Sequence, residues 1–406
     1  MELSNAIERL NTIDAHYALV LLRCSFSAPK IQYLLRCSPC VGHVSLGEFD
    51  SLLRAGISRI TNSNLSDSQW LQASLPVRNG GLGVRRVSSL ALSAYLASAA
   101  GTLILQDQVL IGSNSAPDSF VTVFQSVWTD TYSQPLPDQP ASSKQSTWDE
   151  RAIQADIDTV WNSAADNYNR ARLTAVSAPH SGDWLHARPI SACGLKLDNE
   201  AIRVAVGLRL GVSLCHPHDC PCGELVDATG IHGLSCKLAF GRMARHHLVN
   251  DILWRAFINA GIPATKEPSG LSRIDGKRPD GLTLIPWCGG KQLAWDVTIV
   301  NSLAVSYIDN VSLSAGGVAE MAAENKIAKY ANLASSVLFQ PVALETLGPF
   351  NASAIDFLSD LGHRIELSSG DKRERQFLFQ RLSVAVQRFN AIAFTGSFVV
   401  VADADQ

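Results

Sequence analysis

Apolar residues in the first hundred positions recur at helical spacing. Ile7, Leu10, Ala15, Ala18, Leu19 and Leu22 form a loose stripe, and Phe49, Leu52, Leu53, Ile57 and Ile60 form a cleaner one. Ser45 precedes the second run and Glu48 follows three residues later, a capping-box pattern that predicts a helix start there. The run Asn79-Gly80-Gly81-Leu82-Gly83 breaks helices and predicts a turn. No strand precedes it and no Gly-Lys-Ser/Thr follows, so it does not read as a phosphate loop. Val87 to Gln106 carries no charge, but Ser88, Ser89, Ser93, Ser98 and Thr102 interrupt it and much of the rest is alanine. That predicts a buried helix of small residues rather than a membrane span, which needs ~20 predominantly apolar residues. Ser/Pro/Gln-rich runs at 113–117 and 133–147 predict linker, with a helix over 118–132 between them. From Trp148 to about Val176, Ile153, Ile157, Val160, Trp161 and Ala164 predict one long amphipathic helix capped by Ser146 or Thr147. A second helix is predicted over Asn199–Leu210.

A helix over 246–260 follows a cysteine–histidine cluster, and the apolar period then changes to two. Residues 263–267, 279–285 and 291–300 read as strands. A helix over 317–335, a strand over 337–345 and helices over 351–363 and 373–392 complete the pattern, and no repeat of 20–50 residues emerges. The expected organisation is a helical region 1–105, a linker 106–147, a helical connector 148–211, a cysteine–histidine module 212–247 and an α/β domain 248–400.

Composition narrows the function. The 406 residues suit two or three domains, and 46% hydrophobic residues suffice for ordinary cores. Charged residues at 17% fall below the ~25% of typical domains, which argues against long disordered stretches. The net charge of −3 excludes a globally basic coat protein, so any nucleic-acid site must be local. No charged n-region followed by an apolar stretch opens the chain, so an intracellular rather than secreted protein is expected.

Five of the ten histidines and four of the nine cysteines lie within residues 215–247. Its core is Cys220-Pro-Cys222-Gly-Glu…His232-Gly-Leu-Ser-Cys236, a C-x-C-x9-H-x3-C spacing. Cysteines one residue apart can hold one metal from a tight turn that Gly223 relieves. His232 and Cys236 are four apart and share one face of a helical turn. Three thiolates and one imidazole make a tetrahedral shell suited to structural Zn2+, with no open position for catalysis. Cys215 and His246 are alternative or extra ligands, and a nest of free buried cysteines is the competing reading.

Downstream, Lys277-Arg278-Pro279-Asp280 and Trp295-Asp296-Val297-Thr298 each put an acid on an otherwise apolar strand. Asp is disfavoured in strands, and a buried carboxylate is costly without compensation. A hairpin loop over 286–290 pairs 285 with 291 and sets Asp280 opposite Asp296, on one face with Cβ atoms ~5 Å apart. Leu293, Trp295, Val297 and Ile299 point the other way, which leaves the acids on an open face. Two close carboxylates favour a divalent cation, and oxygen ligands suit Mg2+. The helix at 317–335 presents Glu324, Lys326, Lys329 and Tyr330. Either lysine can orient water or stabilise charge on phosphate, and Glu267 can add a carboxylate. The stretch 237–278 is locally basic, with Lys237, Arg242, Arg245, Arg255, Lys266, Arg273, Lys277 and Arg278. Lys372-Arg373-Glu374-Arg375, with Arg381 and Arg388, reads as a solvated helix face.

The order helix, three strands, helix, strand resembles the core of PD-(D/E)xK nucleases, with Thr298 where their lysine stands. The expected fold class is therefore multidomain, α plus α/β. It has a helical N-terminal region, a small zinc knuckle and a C-terminal restriction-endonuclease-like α/β domain. The motifs together, with Arg245-His246 and Lys326-x-x-Lys329-Tyr330, resemble the C-terminal region of non-LTR retrotransposon proteins, in which a zinc knuckle precedes a restriction-like endonuclease. Gln32-Tyr33-Leu34-Leu35-Arg36-Cys37 and Trp70…Leu75-Pro76…Gly80-Gly81-Leu82-Gly83 resemble the helices after the polymerase core of such proteins. The resemblance is specific at 220–330 and loose at 106–215. It implies a nuclear, Mg2+-dependent endonuclease that nicks target DNA to prime reverse transcription, with element RNA and a separate reverse transcriptase as further partners and no membrane. It implies Asp280 and Asp296 as metal-binding acids, Lys326 or Lys329 as base or stabiliser, and Cys220, Cys222, His232 and Cys236 on zinc. Arg245, Lys277 and Arg278 are the expected nucleic-acid contacts. The paired-aspartate polymerase motif is missing, and Tyr307-Ile308-Asp309-Asn310 reads as loop, so a C-terminal fragment or remnant without polymerase activity is expected. A non-catalytic zinc-containing nucleic-acid-binding module and an inactive retroelement remnant are the alternatives.

Overall fold

The computed structural model describes residues 2–109, 119–271, 278–304, 314–333 and 336–398. Arg273, Lys277 and the 307–310 tetrapeptide lie outside them. The architecture is multidomain α plus α/β, mostly helical with a small sheet region. The chain forms two compact units, residues 1–77 with 81–163, and 78–80 with 164–406. The division falls inside the stretch expected as a single connector, 148–211.

The first unit is helical: α1 Glu2–Leu10, α2 Ala15–Leu21, α3 Ala28–Cys37, α4 Val44–Ile60, α5 Asp67–Ser74, α6 Val87–Val109, α7 Ser119–Tyr132 and α8 Gln145–Ser163. The stripe from Ile7 to Leu22 is buried throughout. Helix α4 starts earlier than the sequence pattern suggested. His43 is its N-cap, its Nδ1 accepting the Ser45 N–H at 3.2 Å, so Ser45 is already helical and the Ser45–Glu48 box does not form. A true capping box opens α5, where Ser66 and Gln69 satisfy each other's backbone N–H groups. The start of α6 is capped from α4, because buried Asp50 accepts the N–H groups of Val87 at 2.7 Å and Ser88 at 3.2 Å. Ala91 and Ala94 of α6 are fully buried beside Leu35 of α3, where small side chains permit close approach. Among the described residues, Val87–Gln106 is the one stretch long and apolar enough to cross a membrane, and half of that window is buried in the protein. The glycine turn forms as expected. A Cβ on Gly81 would lie 2.0 Å from the Leu75 carbonyl oxygen, so only glycine fits.

The second unit carries α9 Asn167–Val176, α10 Asp183–His186 and α11 Asn199–Leu210, then β1 His218–Asp219, β2 Leu225–Val226 and α12 His232–Ser235. Helix α13 (Arg242–Asn259) leads into β3 Ala264–Lys266, β4 Gly281–Thr283 and β5 Leu293–Val300. Helix α14 (Gly317–Lys329), β6 Leu338–Glu345, α15 Ala352–Ser369 and α16 Glu374–Thr395 follow. The single long helix expected from Trp148 to Val176 is in fact α8 and α9. Helix α8 begins at Gln145, which places Ser146 and Thr147 inside it, and Asp166 caps a fresh start at α9.

The four-stranded sheet has order β3-β4-β5-β6, antiparallel except for the β5–β6 pair. Leu293, Trp295 and Val297 of β5 pack against Leu253 and Phe257 of α13 and against Phe357 and Leu358 of α15. Trp295 is fully buried, stacks on Phe257 with centroids 4.6 Å apart and donates its indole N–H to Asn250 Oδ1 at 2.8 Å. Gly281 lies beneath that indole, and a Cβ there would sit 1.9 Å from the ring. The opposite face of β5 is not open. Ala294 joins Tyr330, Leu333 and Val337 in a second apolar cluster, and α14 packs over the sheet beside it.

Candidate functional site

The first candidate centre is the cysteine–histidine cluster. Strands β1 and β2 form a short hairpin in register His218 with Val226. The Cys220 N–H bonds the Glu224 carbonyl, and Gly223 at φ +89° returns its N–H to the Cys220 carbonyl at 2.8 Å. That turn brings Cys220 and Cys222 together. Helix α12 brings His232 and Cys236, the Cys236 N–H closing the turn on the His232 carbonyl. One ligand atom from each residue lies within 4.8 Å of all the others. Cys220 Sγ and Cys236 Sγ are 3.7 Å apart, and Cys222 Sγ is 3.2 Å from His232 Nε2. Ligands ~2.3 Å from a tetrahedral zinc would have sulfur–sulfur edges of ~3.8 Å. The cluster can therefore bind a metal such as zinc. Burial pushes the Cys220 thiol up, whereas the Glu224 N–H draws the Cys222 thiol down toward the thiolate.

The two extra ligands considered from sequence are elsewhere. Cys215 Sγ meets the Asp227 carbonyl at 3.3 Å, and His246 turns away to the sheet. His218 is a packing residue, stacked on Phe398 at 4.1 Å with Nε2 on Ser397 Oγ. The module docks on the end of α16, where Cβ atoms on Gly230 and Gly233 would collide with Phe394 and the Ala393 carbonyl.

The second candidate centre is the acid pair. Register pairs Gly281 with Trp295 and Leu282 with Ala294, so one step outward sets Asp280 opposite Asp296. Asp280 is held at several points. Its carbonyl accepts the Glu267 N–H at 3.0 Å and Asn250 Nδ2 at 3.3 Å. Its Oδ2 accepts the Val297 N–H at 2.6 Å and lies 3.0 Å from His246 Nε2. Asp296 is almost completely buried and ion-pairs with Lys326 of α14. Burial first, and the neighbouring Asp280 second, raise the Asp296 carboxyl above its ordinary range, against the pull of Lys326. The hydrogen bond to Asp280 raises the His246 imidazole. Two acids, an ammonium and an imidazole from four elements thus share one electrostatic neighbourhood.

The other expected residues are placed differently. Lys329 Nζ donates to the Tyr330 hydroxyl at 3.0 Å and lies over that ring, so Lys326 is the lysine at the acids. Tyr330 in turn donates to the Arg278 carbonyl at 2.9 Å, steadying the approach to Asp280. The Glu267 side chain is exposed and ion-pairs with Arg278. Arg245 is buried, and desolvation, followed by neighbouring Arg242, pushes its guanidinium down to about 10. Lys277 lies outside the described residues. Sequence reasoning overlooked His246 and Asn250 as partners of Asp280. Their i, i+4 spacing, one face of α13, was the available signal. The chain matches no known protein family and no curated protein.

Proposed function

We propose that this protein is a metal-dependent DNA endonuclease with a PD-(D/E)xK-type centre and a structural zinc knuckle, as the resemblance to non-LTR retrotransposon proteins implies. The supporting observation is the buried Asp296 opposite Asp280, with Lys326 against one acid and His246 against the other. The charge of Asp280 raises the buried Asp296 carboxyl, and repulsion of that kind is what a divalent cation relieves.

The donor set suits Mg2+, since both acids offer hard oxygen ligands. Such a cation, held by Asp280 and Asp296, would supply charge neutralisation at the scissile phosphate. The Lys326 ammonium provides the positive charge that Thr298 cannot, and it can steady a phosphate oxygen as negative charge develops. His246 and the Val297 N–H orient Asp280 through its Oδ2. Zn2+ belongs at Cys220, Cys222, His232 and Cys236, where it would fix the knuckle without taking part in cutting.

The test is nicking of supercoiled plasmid in Mg2+ or Mn2+. Asp280→Ala, Asp296→Asn and Lys326→Ala are each expected to lose ~100-fold or more, the scale of removing one charge-stabilising group. Lys329→Ala is expected to keep most activity. Equal nicking by wild type and Asp280→Ala refutes the assignment. A second reading, nucleic-acid binding without cutting, draws on Thr298 standing at the usual lysine position. DNA binding with no metal-dependent nicking would favour it.

A further inference from the structure

We propose that the groove between the segment leaving the zinc knuckle and β5 receives single-stranded DNA, with one unpaired base stacked on Phe240. The choice of DNA rests on the nuclease reading above; the single-strand preference rests on the groove itself. The groove encloses about 800 Å³. Lys237, Arg242, Arg245 and Lys326 line it, and among the described residues no Asp or Glu does. That lining complements a phosphate backbone.

Three large apolar side chains stand out of the same segment. Leu238, Phe240 and Met243 are 59%, 66% and 70% exposed. Phe240 is backed rather than loose, because a Cβ on Gly396 would come within 2.7 Å of its ring. The Leu238 N–H donates to Cys236 Sγ at 3.3 Å, which ties the segment to the cysteine cluster. A supported, exposed aromatic ring beside a row of cations is the design of a stacking platform for single strands. A duplex hides the faces of its bases and would leave the ring without a partner.

Arg245 supplies an independent sign of a ligand. Its residue is 5% exposed, it lines the groove, and its Nε has no hydrogen-bond partner among the described residues. A buried guanidinium is costly unless its donors are met, and a phosphate meets them with charge-assisted bonds. The groove also runs to the acid pair. His246 and Lys326 line it and contact Asp280 and Asp296 respectively. A strand lying there passes its backbone to the proposed cleavage centre while a neighbouring base rests on Phe240.

The test uses the full zinc-loaded chain without added Mg2+ or Mn2+, so that binding is read apart from cutting. The probes are a mixed-sequence 16-mer of single-stranded DNA carrying one 2-aminopurine, its duplex, and the same sequence as RNA. Single-stranded DNA is expected to bind about tenfold tighter than duplex and to change 2-aminopurine fluorescence on stacking. Phe240→Ala is expected to weaken single-strand binding by roughly tenfold or more, the effect of one lost base–aromatic stack, and to abolish the fluorescence change. Phe240→Trp should retain both, and duplex affinity should not move. Equal affinity for duplex and single strand, unchanged single-strand binding by Phe240→Ala, or tighter binding of RNA would each overturn the proposal. Lys329→Ala, whose side chain faces Tyr330 rather than the groove, should leave all these readouts intact. A protein that never nicks but binds single strands through Phe240 would sink the nuclease reading and leave this one standing.

Discussion

The Asp166 side chain accepts the Asn169 N–H at 2.6 Å and so begins α9 where the apolar spacing alone suggested an unbroken helix. That backbone N–H, and then the Asn169 side-chain amide, hold the Asp166 carboxyl below its ordinary range. An acid whose folded value is depressed adds stability that is whole above the unfolded value, ~3.9, and is lost as pH falls through the folded one. Asp166→Ala is therefore expected to cost ~1 kcal/mol at pH 7. The gap from wild type should shrink steadily between pH 5 and pH 2, as measured by urea midpoints. A gap that stays constant across that range would mean the charge plays no part. At this scale the sequence was readable where chemistry clashed with surroundings. Asp280 and Asp296 stood out because acids are misplaced in apolar strands. The lysine could not be chosen in advance, since Lys326 and Lys329 are three apart on one helix. Only the rotation of α14 against β5 decides which one reaches Asp296 and which one rests on Tyr330.

Among elements, the knuckle is the smallest and depends most on something other than its own core. Its strands are two residues each, and its apolar cluster is chiefly the cysteines themselves with Val226. Such a module is too small to bury a sufficient core, so a bound metal should supply much of its folding free energy. Cys236→Ser is expected to lower zinc content from about one per chain to near zero. It should also destabilise the second unit by ~4 kcal/mol or more, the scale on which loss of a metal exceeds ordinary substitutions. Zinc analysis and denaturant unfolding would measure the two. Cys215→Ser, whose thiol faces the Asp227 carbonyl, should change neither. Full zinc retention in Cys236→Ser would remove that residue from the ligand set. The elements themselves were largely legible. The pairing of Gly281 with Trp295 agrees with the expected register, but the expected loop 286–290 does not form, because Lys291 bridges Cys288 instead of Ile285; the cysteine–histidine cluster followed from spacing. The covered face of β5 was not, because the alternation of Trp295 and Val297 reports only their own side. Ala294 is small enough to suit either environment, and what covers it comes from Tyr330, Leu333 and Val337.

For the whole molecule, the net charge of −3 means that the proposed nucleic-acid affinity must come from a local surface. The division between units at Ser163 and Ala164 had no such signature, since the apolar spacing runs on through Ala164 and α8 ends on local bonding such as Ser163 Oγ to the Val160 carbonyl. Charge distribution is more informative than boundary composition here. The basic run near the start of α16 is mostly engaged internally. Arg373 pairs with Asp371, Arg375 with Glu366, and Arg388 donates to the carbonyls of Gly194 and Lys196. Among the described residues, Lys237, Arg242 and Arg245 line the proposed groove together with Lys326, which is already paired with Asp296. Each phosphate neutralised on a single strand adds about −0.7 to the slope of log K against log salt. Lys237, Arg242 and Arg245 therefore predict a slope near −2 between 50 and 400 mM NaCl, and Arg242→Gln should reduce its magnitude by about 0.7. A slope steeper than about −6 would require cations well beyond this groove, and would move the nucleic-acid surface to another part of the chain.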